Sequence, residues 1–372
     1  MRILHLSGSK HHWSGNEQQL ADLIRNLKPL GVENFIFCYD GSAIEKYAKK
    51  NKIPTVSQPR KSIYSSALGK NLRRAIEEFK IDAIHAHTSN FLTVYVLADL
   101  RFGLHTPTVF SRKGMTEHTN LLSRYKYYYK GIDKIICVTN AGKASLQSHL
   151  KPKNYPKLQT IYDGISVDET KGEPPFDICS TFGIDENLFL VGNIANHVDA
   201  KDLPTFVEAV NYLVNTLNCQ GVHFFQVGDK TDEITPRLEA MIEEYGLASY
   251  ITFAGKVAHA KYLMPQFDLF MMSSKSEGLP LTIYEAFLNK KPVVTTNAGG
   301  IAEAITHRET GMMCEIGDFA SLAHFIRELM KDEYLKEHLA QNAYRMLMKR
   351  FTAQECAKQT KELYQEIINK RR

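Results

Sequence analysis

The chain has 372 residues, 44% hydrophobic and 23% charged, an ordinary globular composition long enough for two packed cores. No run approaches the roughly 20 consecutive apolar residues that span a bilayer. Six scattered cysteines without a C-x-x-C pair suggest neither disulfides nor a zinc site, and the opening MRILHLSGSKHHW lacks the apolar core of a signal peptide. The expectation is a soluble, cytoplasmic chain.

Short β-branched apolar runs alternate with helical stretches along the chain. RILHLS, FIFCY, DAIHAH, TPTVFS and KIICVT come first, then FLVGNI, HFFQVG, YITFAG, DLFMMS and PVVTTN. This is the pattern of parallel sheets covered by helices on both faces. Between the halves the polar SVDETKGEPPFDICS, with its Pro-Pro pair, reads as a linker. From about Phe319 onward the pattern is helical, with no strand left to feed. Neither half carries G-x-G-x-x-G after its first strand, which counts against a dehydrogenase.

The net charge of +5 hides an imbalance: residues 1 to 160 carry 25 Lys/Arg against 11 Asp/Glu, a net of +14, and the remainder carries −9. The excess is densest between Arg101 and Lys157, where SRYKYYYKG interleaves cations with tyrosines. Such a face attracts anionic lipid, a phosphorylated acceptor or nucleic acid; the ordinary alternative is a solvated helix face. With no recognisable nucleic-acid module in the chain, a nucleic-acid partner is not expected.

In doubly wound sheets ligands bind beyond the carboxyl ends of strands, so candidates are sought just after each apolar run. Gly15 opens a helix after the first strand, where backbone amides could meet an anion. His87, at the end of DAIHAH, is a candidate ligand contact, whereas His85 on the same face two residues earlier is read as a core histidine. Lys201 stands before a helix and could join its dipole in holding phosphate. Gly228 permits close backbone approach after HFFQV.

The stretch SEGLPLTIYEAF carries Glu277 and Glu285 around a strand exit, Glu277-Gly278-Leu279, with Pro280 expected in the first turn of the following helix. Amides near Leu281 and Thr282 would then face whatever lies over the sheet. As an acid and nucleophile pair the two glutamates fit poorly: eight helical residues separate α-carbons by about 12 Å, against about 5 to 5.5 Å between the carboxyl groups of a retaining glycosidase. Two ligand contacts flanking a phosphate fit better. In TTNAGGIAEAI, Gly299-Gly300 enters a further helix by the same device.

Together with KPVVTTNAGGIAEAI, ETGMMCEIGD, ITFAGKV, DLFMMSS, VGNIANHVDAKD and, less specifically, CVTNAGKASL and IYDGIS, this E-x7-E stretch resembles glycosyltransferase family 4, retaining enzymes of the GT-B fold. The resemblance implies two Rossmann-like doubly wound domains facing across a cleft. It places an acceptor domain at 1–165, joined by a C-terminal helix at about 353–372 that crosses back to it, and a nucleotide-sugar domain at 166–352. It implies transfer of a sugar from a nucleotide diphosphate sugar, usually a UDP-sugar, to a lipid-linked or polysaccharide acceptor of the cell envelope. No metal or cofactor is expected, and peripheral attachment to an anionic membrane surface through the basic half is.

By motif, Glu285 resembles the residue at the ribose and Glu277 the one at the donor sugar. Lys201 resembles the diphosphate's lysine, Leu281 and Thr282 its distal phosphate site, and the backbone of Lys256 and Val257 the base reader. Two positions depart from the family. Asn196 stands where an arginine usually precedes the lysine, and SRKG replaces the frequent His-Asp, leaving Lys113, Arg112 or nearby His118 to take the histidine's part. A nucleotide-sugar epimerase and a catalytically silent nucleotide-sugar-binding protein are the alternatives.

Overall fold

The computed structural model describes residues 1–8, 13–113, 126–170 and 172–371. The chain divides into two compact units, one formed by Met1–Ser166 with Phe351–Arg372 and the other by Val167–Arg350.

The first unit is built on seven strands, β1 (Arg2–Ser7), β2 (Glu33–Tyr39), β3 (Thr55–Gln58), β4 (Ala83–Ala86), β5 (Thr108–Arg112), β6 (Lys134–Cys137) and β7 (Leu158–Thr160). All pair in parallel, in the order β3-β2-β1-β4-β5-β6-β7. Helices α1 (Gly15–Leu27), α2 (Ala43–Lys50), α3 (Ser66–Glu78), α4 (Ser89–Phe102) and α5 (Asn140–Gln147) connect them. Because side chains alternate across a strand, Leu4 and Leu6 pack with Phe37, Phe91 and Tyr95 in one core. Ile3 enters a second core with Leu23 and Leu27 of α1.

That second core is closed by the last helix, α12 (Ala353–Arg371), through Ala357, Leu363, Tyr364, Ile367 and Ile368. The chain re-enters the unit by a parallel bridge between Ile165 and Thr352. The C-terminal helix thus completes the first unit's hydrophobic interior, as the resemblance implies.

The second unit carries α6 (Ile178–Phe182) and six parallel strands, β8 (Phe189–Ile194), β9 (Val222–Val227), β10 (Ile251–Phe253), β11 (Leu269–Met272), β12 (Val293–Thr296) and β13 (Met312–Cys314), in the order β10-β9-β8-β11-β12-β13. Its connecting helices are α7 (Leu203–Asn211), α8 (Thr235–Glu244), α9 (Leu281–Leu288), α10 (Phe319–Lys331) and α11 (Glu333–Arg350). Val191, Phe224, Leu269, Met271 and Val294 pack against Phe206, Val210, Ile326 and Leu339 in its core. All ten strand segments expected from the sequence form; β3, β7 and β13 are additional.

In both sheets the order reverses beside the first strand, between β1 and β4 and between β8 and β11. These are topological switch points, where diverging connections leave a crevice at the strands' carboxyl ends.

Candidate functional site

At the switch point of the second unit, Lys201 and Glu277 meet. Lys201 ends a single 3-10 turn (Asp199–Lys201) after β8, and Glu277 follows β11. The Lys201 ammonium donates to Glu277 Oε1 at 2.5 Å, and Ser274 Oγ donates to the same oxygen at 2.7 Å. Their side chains are 23% and 10% exposed, so the pair is sheltered yet reachable. Backbone bonds hold the two exits together: Lys275 N–H donates to Ala200 O at 3.0 Å, and Ser273 Oγ donates to the carbonyls of Lys201 and Asp202 at 3.1 and 3.0 Å.

The stitching continues across the edge of the sheet. Gly300 N–H donates to Gly278 O at 3.0 Å. At Gly299, with φ +60°, a β-carbon would lie 1.9 Å from Glu277 O, so only glycine permits this approach. Gly299→Ala is therefore expected to destabilise the protein by about 1–3 kcal/mol and to displace the Glu277 loop, read as a lower melting temperature. On the other side, Asp229 N–H donates to Asn196 Oδ1 at 2.9 Å and Lys256 Nζ donates to Asp229 Oδ2 at 2.8 Å. A β-carbon on Gly228 would lie 1.9 Å from Ala195 O. The close approach expected at Gly228 is thus to a neighbouring loop of the protein.

Two local expectations change. Pro280 is the N-cap of α9, not part of its first turn, and makes no side-chain capping hydrogen bond; the N–H groups of Leu281 and Thr282 lie at this helix start. The residues after Gly299-Gly300 make only a 3-10 turn, Ile301–Glu303, too short to carry a helix dipole. Glu285 lies on the second turn of α9, Leu279 is half-buried on its approach, and Val257 is half-buried beside the exposed Lys256.

In the first unit the switch point holds three buried histidines. His5 of β1 is the register partner of His85 of β4, and His87 follows at the strand exit. Asn34 orients the set: its Nδ2 donates to Val32 O, which leaves Oδ1 to accept from His5 Nε2 at 2.9 Å. His5 Nδ1 then accepts, so His87 Nε2–H donates to it at 3.0 Å and His87 Nδ1 keeps its lone pair. His85 bridges Tyr364 OH and Ser111 Oγ at 2.6 and 2.7 Å, which makes it the core histidine expected.

Burial depresses the pKa of all three, His5 to about 4; the neighbouring histidines add to this at His85 and His87, as does the nearby Lys113 cation. Ring nitrogens of the three lie within 4.8 Å of one another, but a metal would have to displace the His5–His87 hydrogen bond and one of those to His85. Lys113 is ion-paired with Asp163, and Arg112 donates to Gly142 O at 3.2 Å.

Gly15 opens α1 inside a capping box. Glu17 accepts from Ser14 N at 3.0 Å, and Ser14 Oγ accepts from Asn16 N at 3.3 Å. This helix start already has a carboxylate of its own, Glu17, engaged in its cap. The tyrosines of SRYKYYYKG among the described residues also turn inward. Tyr127 is buried against Phe110, and the hydroxyls of Tyr128 and Tyr129 donate to His149 O and to Asp99. His118 lies outside the described residues.

Sequence reasoning passed over His5, Asn34, Asp163, Ser274 and Asp229. His5 carried a signal, since it sits in the first strand on the face shared with His85; the others are recognisable only once their loops are adjacent.

Comparison with known families fits this geometry. A model described as glycosyl transferases group 1 matches residues 185–332, and one described as glycosyltransferase family 4 matches residues 13–169. The chain is a glycosyltransferase of family 4 type. The lipopolysaccharide core biosynthesis glycosyltransferase LpsD of Rhizobium meliloti is 23% identical over 377 residues, covering 100% of both chains. The N-acetyl-alpha-D-glucosaminyl L-malate synthase of Bacillus anthracis is 23% identical over 314 residues, 82% of this chain and 80% of the other. Among solved structures, Anabaena Alr3699/HepE in complex with UDP superposes with a TM-score of 0.84 at 22% identity, over 98% of this glycosyltransferase and 100% of that chain. A glycosyltransferase from Rickettsia africae gives 0.84 at 20% identity, over 99% and 98%. The fold is GT-B.

Proposed function

We propose that this glycosyltransferase moves a sugar, with retention at the anomeric carbon, from a UDP-sugar to a lipid-linked or polysaccharide acceptor in cell-envelope glycan synthesis. The observation that carries the reading is the Lys201–Glu277 pair at the β8/β11 switch point, beside the start of α9. A diphosphate, with its greater charge, competes for the Lys201 ammonium and for the amides of Leu281 and Thr282. Glu277, released from the lysine, then turns its carboxylate to the hydroxyls of the donor sugar.

Glu285, about one turn into the same helix, is assigned to the ribose. The backbone at Lys256 and Val257 is assigned to the base, and Asn196 to a contact through its amide NH2. In the first unit His87, with its lone pair at Nδ1, and Lys113 are assigned to the reacting groups. The bond from the anomeric carbon to the diphosphate oxygen breaks, the acceptor oxygen bonds to that carbon on the same face, and the departing phosphate oxygen takes the acceptor's proton. The protein's part is to stabilise the leaving diphosphate and the cation-like sugar, a task this site performs with an ammonium and amides in place of a metal.

The UDP-bound Alr3699/HepE and the core-biosynthesis enzyme LpsD support the donor and the acceptor class, respectively. Calorimetry against a panel of nucleotide sugars tests the reading. One UDP-sugar is expected to bind, and Glu285→Ala is expected to weaken it about 10–100-fold, the worth of charged hydrogen bonds to hydroxyls. Binding of none, with Glu285→Ala behaving as wild type, would refute it.

A further inference from the structure

In the first unit α3 and α4 enclose a groove of about 410 Å³ lined by Ile63, Tyr64, Val94, Leu97, Leu100 and Phe102 among others. Tyr64 is 74% and Leu100 65% exposed, and Leu97 is exposed as well. The outward positions of α4 at helical spacing are Thr93, Val96, Leu97 and Leu100. A surface helix ordinarily carries charge on that face; this one carries none until Arg101 in its last turn.

The rim has one sign. From Pro59 to Ile76 the chain has five cations, Arg60, Lys61, Lys70, Arg73 and Arg74, and no acid. Lys61 and Lys70 are exposed, and no counter-ion to either is seen among the described residues. The nearest carboxylates on α3, Glu77 and Glu78, are already paired with Arg73 and Arg74. Asp99 of α4 is buried, holding His105 N–H and the Tyr129 hydroxyl.

We propose that this α3/α4 face is a docking surface for an anionic membrane. Tyr64, Leu97 and Leu100 enter the boundary between headgroups and acyl chains, while Lys61, Lys70 and Arg101 meet lipid phosphates. An amphipathic tyrosine beside aliphatic side chains suits that depth, and cations within a Debye length of an anionic leaflet are drawn to it. A second copy of the chain would bring a matching cationic rim against this one, so self-association is disfavoured. No helix among the described residues is long and apolar enough to cross a membrane, so attachment here is peripheral. The inference extends the proposed acceptor reading, but its test is independent of donor chemistry.

The full chain is floated with phosphatidylcholine vesicles with and without phosphatidylglycerol, in the absence of any nucleotide sugar. Binding is expected only with the anionic lipid, and it should fall as salt rises. The double variants Leu97→Glu/Leu100→Glu and Lys61→Glu/Lys70→Glu should each bind at least ~10-fold more weakly while keeping the wild-type melting temperature and UDP-sugar affinity. If the first variant melts early, Leu100→Ser replaces it. Equal binding to neutral vesicles, indifference to salt, or wild-type flotation of the variants would overturn the proposal. So would a concentration-dependent dimer that Leu97→Glu/Leu100→Glu abolishes. Lost flotation with intact UDP-sugar binding touches this surface alone; absent UDP-sugar binding with intact flotation touches the transferase reading alone.

Discussion

Lys201→Ala is expected to lower kcat for sugar transfer by about 10²–10³-fold, the usual consequence of removing one preorganised donor from a developing oxyanion. Lys201 Nζ is fixed from two directions. Its loop is stitched to the β11 exit by Lys275 N–H and Ser273 Oγ, and its ammonium is held by Glu277, which Ser274 orients. The charge therefore needs little rearrangement to meet a departing diphosphate. Removing the lysine also leaves Glu277, only 10% exposed, without its cation in a site meant for an anion. The loss should accordingly exceed that of Glu277→Gln, which keeps size and shape and removes the repulsion. Steady-state transfer kinetics with Lys201→Ala, Lys201→Arg and Glu277→Gln check this. Equal kcat for Lys201→Ala and wild type would remove the lysine from the reacting centre. A larger loss for Glu277→Gln than for Lys201→Ala would make the carboxylate the principal group.

The strands legible in the sequence are those with long apolar runs, and all ten expected are among the thirteen that form. The three overlooked, β3, β7 and β13, are all sheet edges, with one neighbour each. An edge strand such as TVSQ or LQT is only half covered, so its sequence never acquires the continuous hydrophobic run that a central parallel strand requires. The site was legible in part for a related reason. Lys201, Glu277 and Glu285 could be placed because each follows a clear strand, and the switch-point rule points to such positions. What their spacing could not supply was partnership across 76 residues, which the β8/β11 register decides. Gly228 shows the opposite case. The sequence called for close backbone approach, and the structure shows Ala195 O to be one approaching group. A glycine at a strand exit says that something comes near without saying what.

The first unit should lose stability steeply as the pH falls below about 6.5. His5 sits buried and neutral with its pKa lowered to about 4, so between those values the unfolded chain binds a proton that the native protein refuses. Stability contributed by this difference is fully present above pH 6.5, declines through the window, and at pH 4 has fallen by about 3 kcal/mol for His5 alone. His85 and His87 are depressed in the same direction by burial, by one another or His5, and by Lys113, so their contributions carry the same sign. The groups packed around them offer no relief. Tyr364 and Ser111 are neutral, and Tyr364 resists ionising because burial raises its pKa. Asn34 is neutral, and the Asp163 carboxylate is engaged by Lys113. Acidic groups lose their contributions lower down: Glu45, held to about 2 mainly by Lys49 and Ser57, matters only below about pH 4.5. Denaturant melts of the full chain between pH 7.5 and 4.5 should show the midpoint of the first unit falling before that of the second. His5→Gln keeps a neutral hydrogen-bonding side chain and should flatten the dependence. An unchanged slope in His5→Gln, or a first unit as stable at pH 5 as at pH 7.5, would show that the histidines take up protons in the folded protein.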